Sequence, residues 1–125
     1  MIERGLHHVS LEVRRPDAEA CRDFFVLLGF AKVPHPPALD DVAVWVQSGD
    51  LQVHMLYADE PVIPPRGHVA VACPDYEGTL AALRAAGHRV EDHDNLWGSP
   101  RAYAYSPVGH VVEVMQFPPG GEARA

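Results

Sequence analysis

An internal repeat constrains this chain more than any other feature. His8-Val9-Ser10-Leu11-Glu12-Val13 is followed by Pro16-Asp17 and a helical pattern, and His68-Val69-Ala70-Val71-Ala72-Cys73 is followed by Pro74-Asp75 and another. The two opening histidines lie 60 residues apart. The glycines that follow the helical stretches, Gly29 and Gly87, lie 58 apart. Glycine is the usual residue just past a helix end because it adopts the left-handed conformation cheaply. Such matches in register point to a duplicated unit, which settles the architecture before any single element does.

Each unit reads as strand, helix, then three strands. In the first, Leu6–Val13 alternates as a strand does, and Pro16–Leu28 places Ala18, Cys21, Phe24, Phe25 and Leu28 at helical spacing. Strands follow at Phe30–Val33, Asp41–Gln47 and Leu51–Tyr57, with Ser48-Gly49-Asp50 as the turn between the last two. Ala58–Arg66 contains Pro61, Pro64 and Pro65, which suits a linker and not a regular element. The second unit repeats the order with a strand at Gly67–Cys73 and a helix at Asp75–Ala86. Strands near Arg89–Glu91, at Arg101–Tyr105 and at His110–Phe117 complete it, with Pro107-Val108-Gly109 as the matching turn. The fold class is therefore α+β.

Strand alternation sorts the side chains by face. Val9, Leu11 and Val13 oppose His8, Ser10 and Glu12, and Val69, Val71 and Cys73 oppose His68, Ala70 and Ala72. The apolar sets must pack under the helices, so the histidines face the other way. His54 shares its phase with Gln52 and Leu56, and Glu113 shares its phase with Val111 and Met115. His54 and Glu113 are 59 residues apart, so each unit offers one ligand-type side chain early in its first strand and one in its last. Trp45 and Gln47 on the third strand, and Arg101, Tyr103 and Tyr105 on the seventh, are placed on the same concave side as a substrate pocket. His35, His88, His93 and His110 fall outside this phase and read as surface or loop residues. Asn95–Pro100, with Trp97, reads as a rim loop in which the indole is a lid or a plug.

Charge narrows the partners. Asp and Glu number 17 against 10 Lys and Arg, a formal charge of -7 that repels phosphate backbones and anionic membrane surfaces. No apolar run approaches the ~20 residues of a membrane-spanning helix. The opening segment lacks the apolar core of a signal peptide. The two cysteines, Cys21 and Cys73, stand in unrelated contexts and read as buried thiols. A cytoplasmic protein that binds a small molecule, and neither nucleic acid nor membrane, is expected.

The stretches Leu6-His7-His8-Val9, Gln52-Val53-His54-Met55, Gly67-His68-Val69-Ala70 and Pro107-Val108-Gly109-His110-Val111-Val112-Glu113-Val114 carry a likeness to a known family. With them the chain resembles the vicinal-oxygen-chelate superfamily, which includes glyoxalase I, bleomycin-resistance proteins and extradiol dioxygenases. The resemblance covers about residues 5–117. It implies one domain over 1–125, made of two βαβββ modules that form a cupped mixed sheet. Module 1 is about 5–58, the linker 59–66, module 2 about 67–117 and a mobile tail 118–125. It also implies a divalent metal, Zn, Ni, Co, Mn or Fe, held by His8, His54, His68 and Glu113, within one chain or across a homodimer. Imidazole and carboxylate donors suit such ions. His7 is one residue out of phase and is expected to face away, while Glu12 is expected to stand behind the metal ligands. Many relatives carry Asp-Pro-x-Gly-Asn before the last strand, where this chain has Ser106-Pro107-Val108-Gly109-His110. Glyoxalase I usually has Glu where this chain has His54.

The leading expectation is a glyoxalase-I-like lyase or isomerase that acts through a metal-chelated enediolate. Glu113 is the first candidate for its base and His54 the second. An extradiol-type dioxygenase with a His8, His68 and Glu113 triad is one alternative. It needs three open metal positions, and so requires His54 to stay off the metal. A non-catalytic antibiotic-binding protein of the bleomycin-resistance type is the other. A fosfomycin-modifying enzyme ranks low because no basic cluster suited to a phosphonate is evident.

Overall fold

The computed structural model describes residues 3–120. The chain divides into two compact units, and the division falls between Ile63 and Pro64. Residues 58–68 carry no helix or strand. Of the expected mobile tail, residues 121–125 lie outside the described residues.

The first unit runs β1 (His8–Val13), α1 (Ala18–Leu27), β2 (Ala31–Val33), β3 (Ala43–Ser48) and β4 (Leu51–Tyr57). Its sheet has the order β1-β4-β3-β2, with β1 parallel to β4 and the other neighbours antiparallel. The second unit runs β5 (Val69–Ala72), α2 (Tyr76–Ala85), β6 (Val90–His93), β7 (Arg101–Tyr105) and β8 (Val111–Met115). Its order, β5-β8-β7-β6, repeats the first with the same strand directions. The two βαβββ modules are thus present, and the α+β class holds.

The cores follow the alternation. Val13, Val46, Val53 and Met55 in the first sheet are fully buried, as are Cys21, Phe24 and Phe25 of α1. The Phe24–Phe25 and Phe25–Phe30 rings meet edge to face with centroids 5.3 and 5.4 Å apart, a favoured aromatic geometry. In the second unit Val112, Val114, Ala102 and Ala104 are fully buried, together with Leu80 and Leu83 of α2. Burying each large apolar side chain contributes about 1.5–3 kcal/mol, so these faces fix the strand phase. Neither cysteine is in a disulfide, and both are buried. Among the described residues no helix is long and apolar enough to cross a membrane.

Both helices close in the same way. Phe30 N donates to Phe25 O and His88 N to Leu83 O, each at 3.0 Å, across Gly29 at φ +99° and Gly87 at φ +88°. These reverse bonds satisfy carbonyls that the helix ends would otherwise leave bare. Element ends differ from the sequence expectation in ways that matter for the site. β1 begins at His8, so His7 lies before the strand. β6 runs on to His93 instead of ending at Glu91. A 3-10 turn at Arg15–Asp17 precedes α1, so the α-helix itself starts at Ala18.

Candidate functional site

In the first unit the strand register brings the polar set to one face. β1 and β4 pair His8 with Gln52 and Ser10 with His54, and β3 sets Trp45 against His54 and Gln47 against Gln52. The rings stack as a column. Trp45 and His54 are 4.2 Å apart at 6°, and His54 and His8 are 4.0 Å apart at 15°. A chain of amides locks the column. His54 Nε2 donates to Gln52 Oε1 at 2.7 Å, Gln52 Nε2 to Gln47 Oε1 at 2.9 Å, and Gln47 Nε2 to Gly49 O at 2.9 Å. Burial, followed by the neighbouring His8 and His7, pushes the pKa of His54 down to about 4. His54 is therefore neutral at physiological pH. The indole Nε1 of Trp45 is buried with no hydrogen-bond partner, an orphaned donor on this face.

His7 does not face away. Its Nδ1 meets Nδ1 of His8 at 2.9 Å, and its ring lies 5.2 Å from His8 and 6.3 Å from His54. The alternation rule fails there because His7 stands outside the strand. Glu12 keeps its phase, and its Oε1 accepts from Val62 N at 3.1 Å, which ties the linker to the end of this face.

In the second unit the equivalent face is ionic. Register aligns Ala70 with Glu113, Glu113 with Tyr103, and Tyr103 with Glu91. Glu113 is buried, at 9 % exposure, and each of its oxygens has a partner. Oε1 is 3.1 Å from His68 Nε2, and Oε2 accepts from Arg101 Nη1 at 3.2 Å. His68 Nδ1 meets Arg66 O at 2.8 Å. Arg101 Nε donates to Asp94 O at 2.8 Å, and the guanidinium lies 5.7 Å from the Tyr103 ring and 5.8 Å from Trp97. Its hydrogen bond to Tyr103 is the main cause that raises the Arg101 pKa, burial opposes the rise, and Glu113 adds to it. Tyr105 donates to Glu91 Oε2 at 3.1 Å, and burial is the main reason that its phenol is pushed up.

Three residues earn places here that the sequence did not assign them. His93 is not a loop residue: β6 carries it opposite Arg101, and its ring lies 3.9 Å from Tyr103. The alternation of Arg89, Glu91 and His93 around Val90 was the available signal. His110 is in the turn before β8, but it is buried, with Nδ1 on Ser106 Oγ at 2.9 Å. Gln52 fixes which nitrogen of His54 carries the proton. Trp97 is pinned and does not hang as a lid, since its Nε1 donates to Phe117 O at 2.8 Å. His35 sits in a loop on Asp40 Oδ1 at 2.9 Å.

The His68–Glu113 pair suits a cation. A neutral imidazole has one N–H, yet both ring nitrogens of His68 face acceptors, a carbonyl and a carboxylate. With Nδ1–H on the carbonyl, Nε2 presents its lone pair beside Glu113, the arrangement that orients metal-binding histidines. The His8–His54 pair is arranged otherwise. Lone pairs lie in the ring planes, so stacked rings send them side by side and not to one point. Among the described residues no group of three or more His, Cys, Asp or Glu side chains is set to hold a metal ion. A cleft of about 300 Å³ in the first unit, lined by Arg15, Asp41, Tyr57, Ala58 and Asp59, includes none of the residues expected to act. Arg15 is already engaged there by Asp41 at 3.0 Å on an open surface, so the chemistry points away from that cleft.

No family model matches the chain, and no curated protein matches it. Solved structures do. A glyoxalase-family protein from Bacillus anthracis superposes with a TM-score of 0.81 at 22% identity, over 93% of this chain and 97% of that one. The oxidase ChaP-H2 gives 0.74 at 18%, over 94% and 96%. TnmS3, an antibiotic-binding protein from Streptomyces sp. CB03234, gives 0.71 at 21%, over 93% and 98%. These likenesses concern the backbone, and they agree with the doubled βαβββ order and the strand pairing described above. The chain shares the fold of these glyoxalase-like structures.

Proposed function

We propose that this protein is a metal-dependent small-molecule enzyme of the lyase or isomerase class, in which His68 and Glu113 hold a divalent cation and His8 and His54 complete its ligand set. The observation that carries this reading is His68, whose two ring nitrogens both face acceptors. With Nδ1–H on the Arg66 carbonyl, Nε2 and the neighbouring Oε1 of Glu113 would be the donors that hold the cation. When bound, the cation supplies Lewis acidity toward two neighbouring substrate oxygens. Glu113 is the base of this reading: its Oε1 would loosen from the cation to take the substrate proton while Oε2 stays on Arg101. His54 is the weaker base, since a group with a pKa of about 4 draws protons poorly near neutrality. Trp45, Gln47, Arg101, Tyr103 and Tyr105 form the substrate's polar and aromatic surroundings. A homodimer, with each unit contributing the pair that it carries, is part of the proposal, and a reducing cytoplasmic setting suits two buried cysteines that are not in a disulfide.

A second reading has its own observation. The Nε2 of His54 is committed to Gln52, which favours a three-ligand site of His8, His68 and Glu113 and so an extradiol-type dioxygenase. Metal analysis of the purified chain, sedimentation, and turnover with hemithioacetals against oxygen uptake with catechols separate the two. Hemithioacetal turnover by a metal-loaded dimer is expected. Oxygen uptake with catechol selects the second reading. Absence of metal, with tight binding of an antibiotic and no turnover, overturns both in favour of a binding protein.

A further inference from the structure

Glu113 divides its oxygens between two partners. Oε1 lies at His68 Nε2, 3.1 Å away, and Oε2 lies at Arg101 Nη1, 3.2 Å away. Arg101 is itself anchored. Its Nε donates to Asp94 O, and Trp97 and Tyr103 flank the guanidinium. Both side chains of the pair are only 11 % exposed, so water competes little for either. A guanidinium keeps its charge at any physiological pH and donates along fixed directions, so its hold on one carboxylate oxygen is stiff.

We infer that Arg101 is a positioning residue that reserves Oε2 of Glu113 and leaves Oε1 alone to a cation, making the carboxylate a one-oxygen ligand. The inference rests on the metal reading proposed above. Its consequence is specific. A carboxylate that bound through both oxygens would fill two positions around the ion, and a substrate with two neighbouring oxygens needs two of its own. By holding Oε2 back, Arg101 keeps one of those positions for the substrate. The corresponding place in the first unit is Ala43, which offers no such restraint.

The test is difference infrared spectroscopy of the full chain labelled with ¹³C-glutamate, with Zn²⁺ minus without. Glu113→Gln identifies the Glu113 bands by their loss. The wild type is expected to show the wide splitting between antisymmetric and symmetric stretches of a one-oxygen carboxylate. Arg101→Met and Arg101→Gln are expected to narrow it to that of a two-oxygen ligand, and Arg101→Lys, which keeps a cationic donor, to retain the wide splitting. Melting temperatures are read alongside, and if Arg101→Met does not fold, Arg101→Gln decides. A lower melting temperature with an unchanged splitting is what a merely structural role gives, and it overturns the inference. Narrow splitting in the wild type does the same. A wild type that takes up no Zn²⁺ overturns the metal reading and the inference with it. Zn²⁺ uptake with identical wild-type and variant splittings overturns the inference alone.

Discussion

The two units share a framework and differ in what they place on it. Each sets an aromatic residue of the third strand opposite the ligand-type residue of the fourth, Trp45 against His54 and Tyr103 against Glu113. Beside these, the first unit has Ala43 and Val33 where the second has Arg101 and Glu91. The first face is consequently neutral and held by ring stacking and an amide chain. The second is held by ion pairs. The buried alternate residues, Val53 and Met55 or Val112 and Val114, perform the same task in both units. The difference teaches that a duplicated sheet conserves its packing face and changes its chemistry through a few residues on the other.

The largest effect should separate the two ligand-type residues of the last strands. Glu113→Gln keeps a ligand oxygen but cannot take a proton, so turnover is expected to fall ~10²–10⁴-fold with substrate binding largely kept. His54→Gln should be milder. Steady-state kinetics on both variants check this. Equal losses would mean that the asymmetry between the faces has no bearing on the chemistry.

Next comes the ion pair that only the second unit has. Arg101→Met leaves the buried Glu113 carboxylate with one partner fewer, and breaking a buried pair typically costs about 3 kcal/mol or more. The exposed Arg15–Asp41 pair of the first unit is the control. Arg15→Met should cost about 1 kcal/mol or less. Denaturant titration measures both, and similar losses would show that burial of the Arg101–Glu113 pair does not matter.

How much of this was legible in the sequence follows from the same contrast. Period-two alternation located the faces of both sheets, because burial of Val13, Val53, Val112 and Val114 leaves no freedom of phase. Alternation says nothing beyond a strand's ends. His7 was misplaced because β1 starts at His8, two residues after Leu6, and His93 was missed because β6 extends past Glu91. The partners of the site residues were beyond reach too. The amide chain to His54 and the grip of Arg101 on Glu113 depend on rotamers and cross-strand register, which spacing alone does not contain.

A third effect sharpens the neutrality of the first face. Burial holds the His54 pKa at about 4, below its ordinary 6.5. In metal-free protein above pH 6.5 neither folded nor unfolded His54 binds a proton, and no penalty arises. Between 6.5 and about 4 the unfolded chain binds a proton that the folded one refuses, so stability falls by up to roughly 3 kcal/mol and then levels. His54→Gln should flatten that part of the pH–stability curve. His8→Ala should raise the pKa only partly, because burial is the larger cause. Histidine ring NMR titration reads the pKa directly, and an ordinary value would break the comparison.

The smallest effect lies at the helix starts. Asp75 caps α2, its Oδ1 accepting from Gly78 N at 3.2 Å, whereas Asp17 at the same place before α1 makes no side-chain cap bond. The reason is local. The 3-10 turn before α1 puts Asp17 in a helical conformation, at φ -96° and ψ -4°, and Asp17 N already donates to Arg14 O. Asp75, at φ -87° and ψ 68°, leaves the helix there and turns its carboxylate back over the first turn. Asp75→Ala should therefore cost about 1 kcal/mol, and Asp17→Ala only a few tenths from the helix dipole. Gly78 adds a finer check. Glycine inside a helix is usually improved by Ala, by roughly 0.5–1 kcal/mol. Here an added Cβ would stand 2.2 Å from Asp75 Oδ2, so the carboxylate must move and the cap bond is lost. Gly78→Ala should bring little or no gain in wild type and the usual gain once Asp75 is already Ala. Amide hydrogen exchange in the first turns of α1 and α2 resolves these differences unit by unit. Gains from Gly78→Ala that are independent of residue 75 would show that the cap contributes nothing to α2.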